Sequence, residues 1–539
     1  MTDIRAVELL FLLLLLFIVA FGQLARKIGT PYPIVMIIGG LLLGFIPGIP
    51  RFTLDPDLIF LVVLPPLLYS SAWVTSWRDF RFNLVSILFL AFGLVGFTVL
   101  AVALITPRVL AGFDWRLGLV LGAVVAPTDA IAATSIARRI GLPSRIVDVL
   151  EGESLINDAT GLLALEFAIA IVVSGHAPTI SMSLLTLAWL VVGGIGLGLL
   201  VGKVAFILER RIDDGPIEIA LSILVPYAAY FLADAVHASG VLAVVACGLF
   251  LTRRSTHMFS PPVRIQIWSF WQSLTFVLNG LVFVLIGLQL PWILASIRGY
   301  SFATLVLDGA IFSLMLILLR LMWVFPGSHL AYFVRNRFDH QNEKSPEAKQ
   351  TFVLGWTGMR GVVSLAAALS LPAVIADGSP FPQRDVIVFL TFSVILVTLV
   401  LQGITLTPLV RALGLQGSAG PNCEEQEARR IVTEAALSHL ESTRPQLSDE
   451  QPDAESDDIY EDLIGHYRHR LASLHPGDEN QEHAIHHRRF IDISRETANI
   501  ERQTAVRLRN EGRINDQVLR RLERELDLND SRFADAAEE

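Results

Sequence analysis

Apolar runs too long and too numerous for a soluble core constrain this chain more than any other feature. From residue 7 to residue 410 the sequence alternates mainly apolar runs, most close to twenty residues long, with short polar connections. A bilayer core takes about 20 residues of helix. In lipid every backbone amide must be bonded within its own helix or within a closed barrel. The run length selects helices, so the sequence predicts an all-α membrane protein. Thirteen spans fit, near 7–25, 33–49, 57–74, 83–106, 117–137, 146–173, 183–202, 217–234, 239–252, 267–290, 302–325, 350–371 and 386–410. The leading run, Leu9 to Ala25, is long, lacks a clear small-x-small cleavage site and is followed by further apolar runs. It reads as the first span rather than a signal peptide.

Charge divides the chain in two. Charged residues make up 17% of the whole, against about 25% in soluble domains. Residues 1–411 carry 26 Lys and Arg and 23 Asp and Glu; residues 412–539 carry 16 and 28. The expected organisation is a transmembrane domain, 1–411, and a charged, helical, water-facing tail, 412–539. The net charge of −9 belongs to the tail and points to no nucleic-acid partner. Cys247 and Cys423 fall one in each part, which excludes a disulfide framework and a cysteine-based metal site.

The connections report orientation. With the C-terminus cytoplasmic, the inside loops hold 18 Lys and Arg and the outside loops hold Arg5, Arg51, Arg108, Arg116, Arg298 and Arg384. Positive residues concentrate in cytoplasmic loops. The bias therefore places the N-terminus outside and the C-terminus in the cytoplasm.

Charges inside spans are expensive, at least about 2.5–3.5 kcal/mol each on insertion scales, so those present are informative. Asp129 lies 13 residues after Arg116 and Asp158 lies 13 residues after Arg145, on helices that enter from opposite sides. At 1.5 Å per residue each is roughly 20 Å deep. Arg360, about ten residues into its span, reaches a similar level. Ser154 and Asp158 share a helix face, whereas Glu153 and Asp158 are about 140° apart. Asp158 and Ser154 are thus assigned to an ion pathway and Glu153 to a pair with Arg360, on charge balance. Glu166, Asp234 and Asp308 read as structural, Arg320 as snorkelling to the cytoplasmic edge. The glycine run 193–198 reads as a helix-packing surface.

Two spans carry breaks. Pro127 interrupts the fifth, two residues before Asp129, and Gly355, Gly358 and Gly361 loosen the twelfth around Arg360. These spans occupy corresponding positions in the first six and last six helices and run in opposite directions. Interrupted helices so placed in two inverted halves are the sequence signature of a secondary transporter.

At these residues the chain resembles a known family. APTDA around Asp129, EGESLINDA around Asp158 and GMRGVVSL around Arg360 look like the signature of monovalent cation/proton antiporters, in the branch of the bacterial NhaP-type and animal sodium/proton exchangers. LPPLLYSSAW and NGLVFVLIGLQL look similar to that family too, and the likeness spans about 400 residues. The resemblance implies thirteen helices in two inverted six-helix repeats, discontinuous crossed helices, a homodimer in the plasma membrane and alternating access. It implies that Asp158 carries either the cation or the proton. Asp129, Thr128 and Ser154 match positions that line or support the site, and Glu153 and Arg360 match a structural ion pair. Asn157 followed by Asp158 resembles the pattern of electroneutral members. No cofactor is implied; the partners are the transported cation, the proton and the bilayer.

Asp158, Ser154, Asn157 and Thr128 can offer the oxygen ligands that a hard cation such as Na⁺ prefers. Na⁺ and K⁺ are left undecided at this level. A membrane-embedded enzyme is disfavoured: the chain has no G-x-S-x-G and no H-E-x-x-H, and no histidine near mid-membrane in the fifth, sixth or twelfth span. A channel would show a pore loop or a filter. In the tail, segments such as 424–440 and 488–528 read as helical, with Pro445, Pro452 and Pro476 punctuating connectors. Seven of the twelve histidines lie there, including His483, His486 and His487, which raises the idea of a pH sensor.

Overall fold

The computed structural model describes residues 2–46, 56–174, 180–212, 214–254, 258–297, 300–339, 345–375, 378–415, 423–450, 454–473 and 481–511, with the short stretches 513–514, 517–519, 521–523 and 525–527. Among these residues there is no strand, only an isolated bridge between Val374 and Pro380. The chain divides into two compact units, Met1–Ala419 and Gly420–Glu539. Arg51, Arg298 and Lys344, counted in the charge bias, lie outside the described residues, as do Pro452 and Pro476.

In the first unit nine helices among the described residues are long and apolar enough to cross a bilayer, and ten if the bent pair Trp115–Val125 and Ala130–Arg139 counts as one span. Two shorter apolar helices, Tyr32–Gly44 and Gly240–Thr252, and the separate helices Ala348–Trp356 and Val362–Leu369 stand at the other predicted positions. The outward faces are apolar at helical spacing: Leu12, Leu16 and Val19 on the first helix, Leu185, Trp189 and Val192 on the helix Ile180–Glu209. A soluble protein would cover such stripes; lipid solvates them.

Inside the unit, small residues let backbones approach. A side chain at Gly40 would overlap the Val284 carbonyl, and one at Gly198 the Ala243 carbonyl. Gly198 belongs to the 193–198 run, which packs against the helix Gly240–Thr252 as expected. Val120, Val124, Leu365 and Leu390 sit with Phe283 in one buried apolar cluster; Tyr69, Ala229, Ala243 and Trp271 sit in another.

Both expected breaks are present. After Val125 the backbone leaves the helix over residues 126–129 and resumes at Ala130, with a 40° bend between the halves. Residues 357–361 separate Ala348–Trp356 from Val362–Leu369. A third irregularity was not foreseen: wider, π-helical turns at Ile59–Val63, Phe89–Leu94 and Thr398–Gln402.

The second unit contains the helices Cys423–Glu450, Ala454–Ser473 and Gln481–Asn510. Arg468 bridges to Glu441 at 2.7 Å, joining the first two helices. Pro445, expected in a connector, lies within the first helix.

Candidate functional site

The two breaks meet. The Asp129 amide donates to the Met359 carbonyl at 2.8 Å, so one backbone bond joins the two non-helical segments where their own helices offer no partner. Asp129 is also the N-cap of Ala130–Arg139, its Oδ1 accepting from the Ile131 amide at 2.8 Å. Its side chain lies against Gly361, where a Cβ would overlap it. The Ala130 amide donates to Ser154 Oγ at 3.3 Å, which ties the break to the helix Ser144–Ser174. Ser364 Oγ donates to the Pro127 carbonyl at 3.4 Å.

Beside the break runs a buried polar network. Arg320 grips Glu153 with both arms, Nη1 to Oε1 at 2.5 Å and Nη2 to Oε2 at 2.9 Å. Thr128 Oγ1 donates to Glu153 Oε1 at 3.0 Å and accepts from Asn157 Nδ2 at 2.7 Å. Glu153, Asn157 and Arg320 are at most 1% exposed.

The expected Glu153–Arg360 pair is therefore corrected: Glu153 belongs to Arg320. Arg360 instead holds the backbone of the crossing. Its Nε donates to the Val125 carbonyl at 3.1 Å, its Nη1 to the Gly358 carbonyl, and its amide to Thr398 Oγ1 at 3.1 Å. Those carbonyls are left without intrahelical donors by the breaks, and a guanidinium satisfies them as an amide ladder would. Arg320 does not snorkel. Its helix runs over 38 residues, Phe302–Asp339, about 57 Å at helical rise. A residue that looks five positions from the end of a 302–325 span is thus near the middle of the real helix.

Asp158 stands apart from this network. It is 7% exposed, and no hydrogen bond or ion pair holds its carboxylate among the described residues. Its surroundings include a cavity of about 1210 Å³ whose wall also carries Asp129, Thr128 and Ser154. Asn157 is not on that wall; it acts on Thr128 from behind. Arg26, Arg138, Arg139 and Arg411 also line the cavity. Beyond Arg320, sequence reasoning missed Thr398, Tyr32 and Asn279. The last two line the cavity from the helices Tyr32–Gly44 and Pro261–Ser296. No group of three or more metal-ligating side chains occurs among the described residues.

A bundle of membrane-spanning helices whose two interrupted members meet beside a buried, unpaired carboxylate has the architecture of a secondary transporter. Comparison with known proteins specifies the kind. The family described as "Sodium/hydrogen exchanger, transmembrane" matches residues 12–412. An uncharacterised Na⁺/H⁺ exchanger of Mycobacterium bovis is 35% identical over 94% of this chain and 92% of its own length. A sodium, potassium, lithium and rubidium/H⁺ antiporter of Bacillus pumilus is 31% identical over 86% of this chain and 69% of its own. Among solved structures, the sodium proton antiporter MjNhaP1 of Methanocaldococcus jannaschii superposes with a TM-score of 0.59 at 20% identity, covering 77% of this chain and 99% of that one. The chain belongs to the sodium/hydrogen exchanger family, and it is a multi-pass membrane protein of a transporter family rather than an enzyme family.

Proposed function

We propose that this protein exchanges Na⁺ or Li⁺ for H⁺ across the plasma membrane by alternating access, one cation for one proton, with Asp158 as the group that carries either. The observation that bears most weight is the difference between Asp158 and its neighbours. Glu153 is saturated by Arg320 and Thr128, and one Asp129 oxygen caps a helix, whereas Asp158 keeps its carboxylate for a guest. Its ligand set would draw on Ser154, Thr128 and Asp129 on the same wall and on water, with Asn157 orienting Thr128.

Competition at one carboxylate then yields exchange. A bare carboxylate in a low-dielectric site is costly to carry across, so the empty charged site stays behind. Loaded with H⁺ or with Na⁺ it bears the same net charge, which makes 1:1 exchange electroneutral. Reading the broken pairs and the two short helices as spans gives thirteen, in two inverted six-helix repeats, with the N-terminus outside and the C-terminus cytoplasmic. The cavity reaches Arg26, Arg138, Arg139 and Arg411, which this orientation assigns to cytoplasmic loops, and this supports an inward-facing conformation. A homodimer, the family's implied assembly, belongs to this proposal, and the second unit is its cytoplasmic tail.

K⁺/H⁺ exchange at the same site is the second reading. It is favoured by the Bacillus pumilus relative, whose name covers sodium, potassium, lithium and rubidium. The test is dequenching of a ΔpH probe in proteoliposomes on addition of Na⁺, Li⁺ or K⁺. Wild-type protein should respond to Na⁺ and Li⁺, and Asp158→Asn to none. Response to K⁺ alone would transfer the assignment to the second reading, and persisting exchange in Asp158→Asn would end the assignment of the carrier.

A further inference from the structure

Asn279 is buried completely, and neither its Oδ1 nor its Nδ2 makes a hydrogen bond of good geometry. An unmade bond to a buried polar group costs about 1–3 kcal/mol, and native proteins keep few such groups. A leucine of similar size would fill the same space in the helix Pro261–Ser296 without that penalty. Packing therefore does not account for an amide here.

Its location does. Asn279 lies on the wall of the cavity that holds Asp158, Asp129 and Ser154, but on a different helix from any of them. Beside it stands Tyr32, whose hydroxyl is in side-chain contact with the amide and within electrostatic reach of Asp129. The amide thus belongs to the same cavity as the acidic site, on a separate helix.

On the carboxylate side the two hydroxyl oxygens are already partly engaged. Thr128 Oγ1 already donates to Glu153 and accepts from Asn157, and Ser154 Oγ accepts from Ala130. Hard cations need several oxygen ligands to replace their water. An Asn oxygen adds one without adding charge, so charge balance at the site is kept. Because neither end of the amide holds a hydrogen bond of good geometry, its oxygen can turn towards the cavity by leaving only the Tyr32 contact.

We infer that Asn279 supplies an oxygen ligand from the helix Pro261–Ser296 when the cavity closes over a dehydrated cation, and that it thereby sets which alkali cation is exchanged. This rests on the proposed exchange at Asp158. A neutral ligand contributes more to a small, tightly coordinated ion than to a large one. Its loss should therefore weaken Na⁺ and Li⁺ more than K⁺.

The experiment compares wild type, Asp158→Asn, Asn279→Leu and Asn279→Asp in proteoliposomes, measuring apparent KM and maximal rate for Na⁺, Li⁺ and K⁺. Asn279→Leu should raise the Na⁺ and Li⁺ KM about tenfold, the effect of one lost ligand interaction, and shift the Na⁺-to-K⁺ ratio, with the maximal rate little changed. Asn279→Asp, nearly isosteric, should lower the KM and make exchange respond to membrane potential, because a second carboxylate leaves a charge on the loaded site. It also serves if Asn279→Leu fails to fold. Cation ratios within twofold of wild type in the folded variants would overturn the role of Asn279 while leaving Asp158 untouched. A wild-type protein that exchanges no cation would overturn the reading on which this one stands.

Discussion

Arg320 and Glu153 form a two-armed ion pair between the helices Phe302–Asp339 and Ser144–Ser174, with side chains 1% and 0% exposed. The pair does more than cancel two charges. Glu153 Oε1 also accepts from Thr128, so the guanidinium indirectly fixes the non-helical segment that ends in Asp129. The Arg320 chain in turn lies against Gly358 in the second break, where a Cβ would overlap it. One ion pair therefore positions both interruptions.

Removing one partner strands the other in a low dielectric, a loss of about 3–5 kcal/mol. Arg320→Ala is expected to destabilise the protein by that order, visible as a lower unfolding midpoint in detergent and reduced yield. Arg320→Lys should also destabilise it, since a point ammonium cannot make both bonds. The double variant Arg320→Met with Glu153→Leu should recover much of the loss, because an apolar pair carries no desolvation penalty. A double variant as unstable as Arg320→Ala would show that the network, rather than the stranded charge, sets the stability.

Asp158→Asn and Asp129→Asn should separate carrying from shaping. Asp158 has no bond to lose, so Asp158→Asn is expected to abolish exchange with an unfolding midpoint equal to or above wild type. Asp129→Asn keeps a side-chain oxygen for the Ile131 amide, and asparagine caps helices about as well as aspartate. It should fold and retain part of the exchange rate. Equal losses in both variants would mean that the two carboxylates act as one site.

Much of this was readable in the sequence because the bilayer penalises polar groups so steeply. Span positions follow from length, the breaks at Pro127 and at Gly358 to Gly361 from residue type, and the grouping of Asp129 with Asp158 from depth. The partner of Glu153 was not readable. Charge balance offers Arg320 and Arg360 equally, and the choice depends on where the helix bearing Arg320 ends, which the apolar run understates by more than a dozen residues. Nor does any periodicity show that Arg360 would serve carbonyls instead of a carboxylate. That need exists only once two helices are broken side by side. Asn279 went unnoticed because a single neutral amide leaves no trace in charge or spacing.

Gly361→Ala should be among the most damaging of small substitutions. A methyl group there would overlap the Asp129 carboxylate and Cβ, and Asp129 is held by its cap and by its own amide bond to Met359. Overpacking of this kind costs about 1–3 kcal/mol. Exchange rate and unfolding midpoint should both fall. At Gly96 an added Cβ meets nothing within 4 Å, so Gly96→Ala, in a helix interior, should be neutral or stabilising by up to about 1 kcal/mol. Similar results for the two would discount the close approach at Gly361.

Truncation after residue 419 should leave the cation-to-proton coupling and the order of cation preference unchanged. Every residue that builds the site lies within Met1–Ala419. The pH at which the rate is half-maximal, measured on the same preparation, tests the histidine-rich tail separately. A shift there with intact coupling would assign the tail to regulation, and an unchanged profile would remove the sensor.

The pH dependence of exchange takes its sign from one carboxylate with two competing guests. On the acidic side of the site's titration, protons occupy Asp158, and each further unit of acidity raises the apparent KM for the cation about tenfold. On the alkaline side the carboxylate is free and the cation KM is flat, but protons for the return step become scarce and the rate falls. The rate therefore peaks between the two limbs. Raising the cation concentration displaces protons on the acidic limb only, so that limb and the peak should move to lower pH, by about one unit on the limb for each tenfold rise in cation. Rates measured from pH 5 to 9 at two Na⁺ concentrations tenfold apart, in proteoliposomes with matched internal buffer, report the shift directly. An acidic limb that stays in place would mean that proton and cation bind to different groups, and the single-carboxylate mechanism would have to be abandoned.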